Sequence, residues 1–82
     1  MTADADVTED ALVRLLEEMI VRQRDKVLAI ARRVEPTATF DDTLQPHDNP
    51  KISGNPIFQY EDGLLAGLIA AQMAIRARLR ER

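Results

Sequence analysis

The stretch GLLAGLIAAQMAI, residues 63–75, decides the fold. Wound into a helix, it is apolar on every side and has Gln72 as its single polar residue. Small residues recur at steps of four, three and four, which places them on one face of the helix. These small residues are Gly63, Gly67, Ala70 and Ala74. Because two glycines inside a helix cost about 1 kcal/mol each relative to alanine, we expect another surface to pack against them.

A helix that is apolar all round needs more than one neighbour to cover it. We therefore predict a homodimer or homotetramer in which helical hairpins form a four-helix-bundle-like unit, with this helix innermost. The predicted oligomer interface consists of Gly63, Gly67, Ala70, Ala74, Leu64, Leu68 and Ile75. Parallel and antiparallel pairing of the hairpins are equally compatible with the sequence.

The helix that contains this stretch has a recognisable start. Asn55 followed by Pro56 is typical of an N-cap with proline at the first helical position. The sequence therefore predicts a second long helix over about residues 56–80. The longest apolar run in it is shorter than the roughly 20 residues that a bilayer-spanning helix needs.

A first long helix is predicted over about residues 8–35. Thr8 is its expected N-cap, and Pro36 ends it because proline disfavours helical geometry in the residue before it. Its apolar residues recur at eleven-residue intervals, close to the natural helical period, so we expect a nearly straight helix. The expected core stripe begins with Leu12, Leu16 and Met19. The predicted fold is all-α, an antiparallel helical hairpin in a single domain over residues 8–82.

The connection over about residues 36–55 is long and rich in proline, glycine and asparagine. Connections of this length are usually functional or partly structured, so we expect an ordered loop. Thr39 is placed to start a short helical turn in which Phe40 and Leu44 face inward, with Ile52, Ile57, Phe58 and Tyr60 as further apolar anchors. The surface formed by Phe40, Leu44, His47 and Tyr60 is the predicted partner-binding loop.

Composition excludes several classes of protein. The chain has 82 residues, a net charge of -3 and no cysteine, which rules out disulfides and thiolate metal sites and disfavours nucleic acid as a partner. Residues 1–7 are acidic and are expected to be disordered. With neither a secretory signal nor a membrane span in the sequence, a cytoplasmic location is expected. No cofactor is predicted.

Two glutamines stand out because each interrupts an otherwise apolar helical face. A hairpin that turns near residue 46 brings Gln23 and Gln72 within about one helical turn of each other. We predict that they pair across the interface and specify register or oligomeric state, as buried amides do in coiled coils.

The competing interpretation is a small-ligand or metal-binding protein, including an enzyme. Its candidate residues are Asp41, Asp42, His47, Asp48 and Glu61, which as a set offer hard oxygen ligands and acid and base groups. The segment lacks the oxygen spacing and central glycine of an EF-hand loop. The sequence therefore favours a non-enzymatic assembly, adaptor or regulatory module that binds itself and another protein.

Overall fold

The computed structural model describes residues 8–81, and every element in that part of the chain is helical. The elements are α1 (Glu9–Val34), α2 (Phe40–Leu44), a 3₁₀ turn (Pro46–Asp48), α3 (Pro50–Ser53) and α4 (Pro56–Arg80). Helices α1 and α4 pack against each other as a hairpin, which confirms the predicted all-α hairpin-like fold. The expected disorder of residues 1–7 lies outside the described residues.

Side chains just outside the two long helices fix where these helices begin. The Thr8 Oγ1 accepts a hydrogen bond of 3.0 Å from the Ala11 amide at the start of α1. The Asn55 Oδ1 accepts one of 2.9 Å from the Phe58 amide, with Pro56 at the first helical position of α4. Both caps satisfy amide groups that have no partner within the helix.

The hydrophobic core occupies only one half of the hairpin. Its buried apolar side chains are Ile20, Val27, Ile30, Ala31, Ala38, Ile52, Phe58 and Leu65. We call residues 20–67 the closed half, and residues 8–19 together with 68–81 the open half. Within the described residues of the open half, Gln72 is the only buried side chain.

The connection between the long helices is folded against the closed half. Thr39 and Asp42 form a reciprocal capping box that starts α2, and the Arg32 Nε donates a hydrogen bond of 2.9 Å to the Ala38 carbonyl. From α3, Ile52 inserts its whole side chain into the core. The predicted helical turn after Thr39 is therefore present, and the connection completes the core that two helices alone would leave open.

The expected inward positions in the connection were partly wrong. Leu44 is 60% exposed, and Phe40 is half-buried, with its ring 5.6 Å from the guanidinium carbon of Arg24. The inward positions belong instead to Ala38 and Thr43, which are 1% and 4% exposed.

Two further anchors expected near the start of α4 are also wrong. Ile57 is 55% exposed and Tyr60 is 67% exposed. The helical period turns Phe58, Glu61 and Leu65 toward the interior, since these positions are separated by three and four residues, and it leaves the positions between them outside.

Candidate functional site

The closed half contains a polar contact that ties α1 to α4. The Gln23 Nε2 lies 2.8 Å from both the backbone oxygen and the Oε1 of Glu61, and the Lys26 Nζ lies 3.3 Å from the Glu61 Oε2. The hydrogen bond from Gln23, helped by Lys26, holds the pKa of Glu61 below its ordinary value despite the opposing effect of burial. Glu61 is therefore a buried structural carboxylate with its partners in place.

A second polar contact joins the helices in the open half. The Gln72 Nε2 donates to the Glu17 Oε1 at 3.4 Å, and an Arg76 guanidinium nitrogen lies 3.9 Å from the same oxygen. These distances are longer than those around Glu61, and both Glu17 and Arg76 are about half-exposed. The open half is therefore joined by a looser contact than the closed half.

The two glutamines do not pair with each other within the chain. Gln23 binds Glu61 and Gln72 binds Glu17, so the expected proximity of the glutamines is wrong. The physical reason is the register of the two helices, which places residue 61 opposite residue 23 and residue 72 opposite residue 17. Their predicted role in specifying register or oligomeric state stays a prediction.

An apolar surface runs along one flank of the helix pair, starting from the ion pair between Lys26 and Glu61. Seven residues make nearly two helical turns, so positions seven apart lie along one line. From Lys26 this line passes through Met19 and Leu12 on α1, and from Glu61 it passes through Leu68 and Ile75 on α4. We define the apolar flank as these four apolar residues with their neighbours on the outer side, namely Leu12, Leu15, Met19, Leu64, Leu68, Ala71 and Ile75.

Most of the apolar flank is open to solvent. Leu12, Leu15 and Leu64 are 46%, 50% and 44% exposed, Met19 and Ile75 are somewhat less exposed, and Leu68 is half-buried against the core. A solvated monomer gains nothing from so many large apolar side chains on adjacent lines of two helices, and surfaces of this kind mark sites of interaction.

The flank shares Leu64, Leu68 and Ile75 with the interface predicted from the sequence. The four small residues of that prediction are exposed on the side of α4 away from α1, and no atom lies within 4 Å of a Cβ built on Gly63 or Gly67. Sequence reasoning missed the contribution of α1, because Leu12 and Met19 were expected in the core. The sequence did contain a signal for their exposure. Met19 and Leu12 lie seven and fourteen residues before Lys26, so they share its side of the helix, and a lysine normally lies at the surface.

The acidic residues of the connection do not form one site with Glu61. Asp41, Asp42 and Asp48 surround a shallow depression of about 460 Å³, and the His47 Nε2 lies 3.4 Å from a carboxylate oxygen of Asp48, both side chains being exposed. Glu61 instead lies in the seam between α1 and α4. Across residues 8–81, no three histidine, aspartate or glutamate side chains converge in an arrangement that could hold a metal ion.

The predicted partner-binding loop is largely accessible. Leu44, His47 and Tyr60 are exposed, whereas Phe40 is half-buried. Phe40 forms one wall of a groove of about 260 Å³ on the flank opposite the apolar flank, where Val21, Arg24, Asp25 and Leu28 of α1 provide the rest. Their predicted role in binding a partner stays a prediction.

None of the helices in residues 8–81 has the length and hydropathy that a membrane span requires. Comparison of the chain with protein-family models, with curated proteins and with solved structures finds no match. The function is therefore inferred from the residues and their geometry.

Proposed function

We propose that this protein is a non-enzymatic, self-associating helical module and that a second copy of the chain covers the apolar flank. The observation that carries the proposal is the apolar flank itself, which combines exposed leucines from α1 with exposed and half-buried residues from α4. The apolar positions on the two helices lie side by side because the Lys26–Glu61 contact fixes the register. Two hairpins joined in this way make a four-helix bundle.

An assembly or adaptor role fits the remaining surface. The connection lies at the end of the hairpin beyond the apolar flank and presents Leu44 and His47 to solvent, and Tyr60 near the start of α4 is exposed as well. A dimer formed through the flank leaves this end free to bind another protein. The proposed role is accordingly to hold two copies of the connection, one from each protomer, on a single four-helix bundle.

A matched pair of α1 variants tests the proposed function. Leu15 on the apolar flank is 50% exposed, and Val21 on the opposite flank is 47% exposed. Leu15→Lys buries a charge in the proposed interface and should weaken the dimer at least tenfold, whereas Val21→Lys should leave the wild-type mass unchanged. Size-exclusion chromatography with light scattering measures both, and circular dichroism checks that both variants fold. Equal masses for the two folded variants would contradict the proposal.

A further inference from the structure

Building on the proposed function, we propose that the open half of the hairpin folds and unfolds as a unit while the closed half stays folded, and that binding of a second copy orders the open half. The two halves differ in what holds them together. In the closed half, α2 and α3 cover the helix pair, and the buried apolar side chains form one core. In the described part of the open half, Gln72 is the only buried side chain, while Val13, Leu16 and Leu79 are half-buried.

The polar contacts across the open half are too weak to replace a core. The Gln72 Nε2 lies 3.4 Å from the Glu17 Oε1, which is longer than most hydrogen bonds between nitrogen and oxygen. The Arg76 guanidinium lies 3.9 Å from the same oxygen, and both side chains are about half-exposed. Ion pairs between solvated side chains contribute little to stability. Contacts between the two helices therefore hold the open half only loosely.

Unfolding the open half exposes little additional apolar surface. Leu12 and Leu15 are already 46% and 50% exposed in the folded chain, and hydrophobic stabilisation is proportional to the apolar area removed from water. Each long helix contributes fewer than about 15 residues to the open half, a length at which a helix is marginal without packing. Segments with few buried contacts open locally at low free energy, so the open half should unfold well before the closed half.

A second copy binds the ordered form of the open half. Of the residues in the apolar flank, only Leu64 belongs to the closed half. The flank exists only while α1 and α4 are helical and lie side by side, so a copy that covers it shifts the equilibrium toward the ordered form. Part of the binding energy is spent on this ordering, which lowers the affinity of the dimer. The connection belongs to the closed half and stays folded in both states.

Hydrogen exchange measured by mass spectrometry tests this coupling. Wild type is measured at concentrations below and above association, with Leu15→Lys as a form expected to stay a single chain, and light scattering gives the mass of each. In the single chain, amides of residues 70–79 should exchange at least about tenfold faster than those of residues 24–33. Association should remove most of this difference. Equal protection of the two segments in the single chain would overturn the proposal, as would exchange at residues 70–79 that does not slow when the chains pair.

A matched pair of glycine variants tests whether the open half behaves as one unit. Arg14 and Asp25 are both exposed, and a spacing of eleven residues places them on the same face of α1, away from the apolar flank. In the paired chains, Arg14→Gly should speed exchange at residues 70–79 of α4 about fivefold and weaken the dimer at least as much, whereas Asp25→Gly should do neither. Faster exchange confined to α1 in Arg14→Gly would indicate independent fraying of the helix ends and would overturn the proposal.

This proposal and the proposed function fail in different ways. A two-chain mass for wild type, combined with equal protection of both halves in the single chain, overturns only the coupling between ordering and association. A single-chain mass for wild type at every concentration contradicts the proposed function itself.

Discussion

The closed and open halves of the hairpin use the same two helices but are covered to different extents. In the closed half, α2 and α3 fold against the helix pair, and Ile52 and Ala38 join a core that is sealed from water. In the described part of the open half no third element is present, and Gln72 is the only buried side chain. Two helices cannot enclose a core alone, so apolar residues remain exposed wherever the connection does not reach. The difference explains why the apolar flank is richest in the open half.

The largest effect should come from removing a side chain that seals the closed half. Ile52 and Ile57 are isoleucines near the same end of the molecule, but Ile52 is fully buried and Ile57 is 55% exposed. We expect Ile52→Ala to lower the free energy of unfolding by about 2–5 kcal/mol and Ile57→Ala to change it by about 0.5 kcal/mol. Urea denaturation followed by circular dichroism measures both. Similar losses at the two sites would contradict the described core.

The two glutamines should respond differently to replacement by leucine. Gln23→Leu removes two hydrogen bonds of 2.8 Å and leaves the buried Glu61 without its main donor, so we expect a loss of about 1–3 kcal/mol. Gln72→Leu gives up one bond of 3.4 Å and gains apolar burial, so stability should stay within about 1 kcal/mol of wild type. Thermal unfolding of both variants provides the comparison. A larger loss of stability for Gln72→Leu than for Gln23→Leu would contradict the account that the closed half is the more tightly joined of the two.

Replacing a glycine by alanine should change stability in opposite directions in the connection and in α4. A Cβ on Gly54 would lie 2.9 Å from the Pro50 carbonyl oxygen, whereas none of the surrounding atoms is within 4 Å at Gly67. We expect Gly54→Ala to destabilise the protein by about 1 kcal/mol and Gly67→Ala to stabilise an isolated hairpin by about 0.8 kcal/mol. Denaturation at concentrations below and above dimer formation measures these effects. A gain at Gly67 that disappears in the dimer would place this glycine in the predicted interface.

The smallest effects concern pH and two adjacent carboxyl groups of α4. The pKa of Glu61 is lowered, so its ionised form stabilises the folded protein above a pH of about 4.3, and this contribution is lost as the pH falls through the folded pKa. Burial raises the pKa of Asp62, so the stability due to its protonated form is lost as the pH rises through that raised value. We expect Glu61→Gln to unfold at lower temperature than wild type at pH 7 and Asp62→Asn at higher temperature. Both differences should shrink near pH 3, and differential scanning calorimetry at the two pH values would show whether they do.

Much of the fold follows from local features of the sequence. The caps at Thr8 and Asn55, the stop before Pro36 and the turn after Thr39 depend on residues within a few positions of each other, and the structure places helix ends at each of them. The tertiary arrangement of the connection was harder to predict. Whether Leu44 or Thr43 faces inward depends on how closely α2 approaches α1, which no short sequence window specifies.

The candidate site was predictable only on α4. Leu64, Leu68 and Ile75 follow from a helix with more apolar surface than one neighbour covers. The contribution of Leu12 and Met19 depends on the register between α1 and α4. That register is set by contacts between residues far apart in sequence, with a separation of 38 positions for Gln23 and Glu61 and of 55 positions for Glu17 and Gln72. The same distant contacts separate Glu61 from the acidic loop residues with which it was grouped.

The central claim is that a second copy of the chain covers the apolar flank, and the mass of the wild-type protein in solution tests it most directly. Sedimentation equilibrium over a range of micromolar concentrations measures that mass without labels or substitutions. The account predicts twice the chain mass of 9.2 kDa. A mass of 9.2 kDa at every concentration would contradict it and leave the flank without its proposed partner.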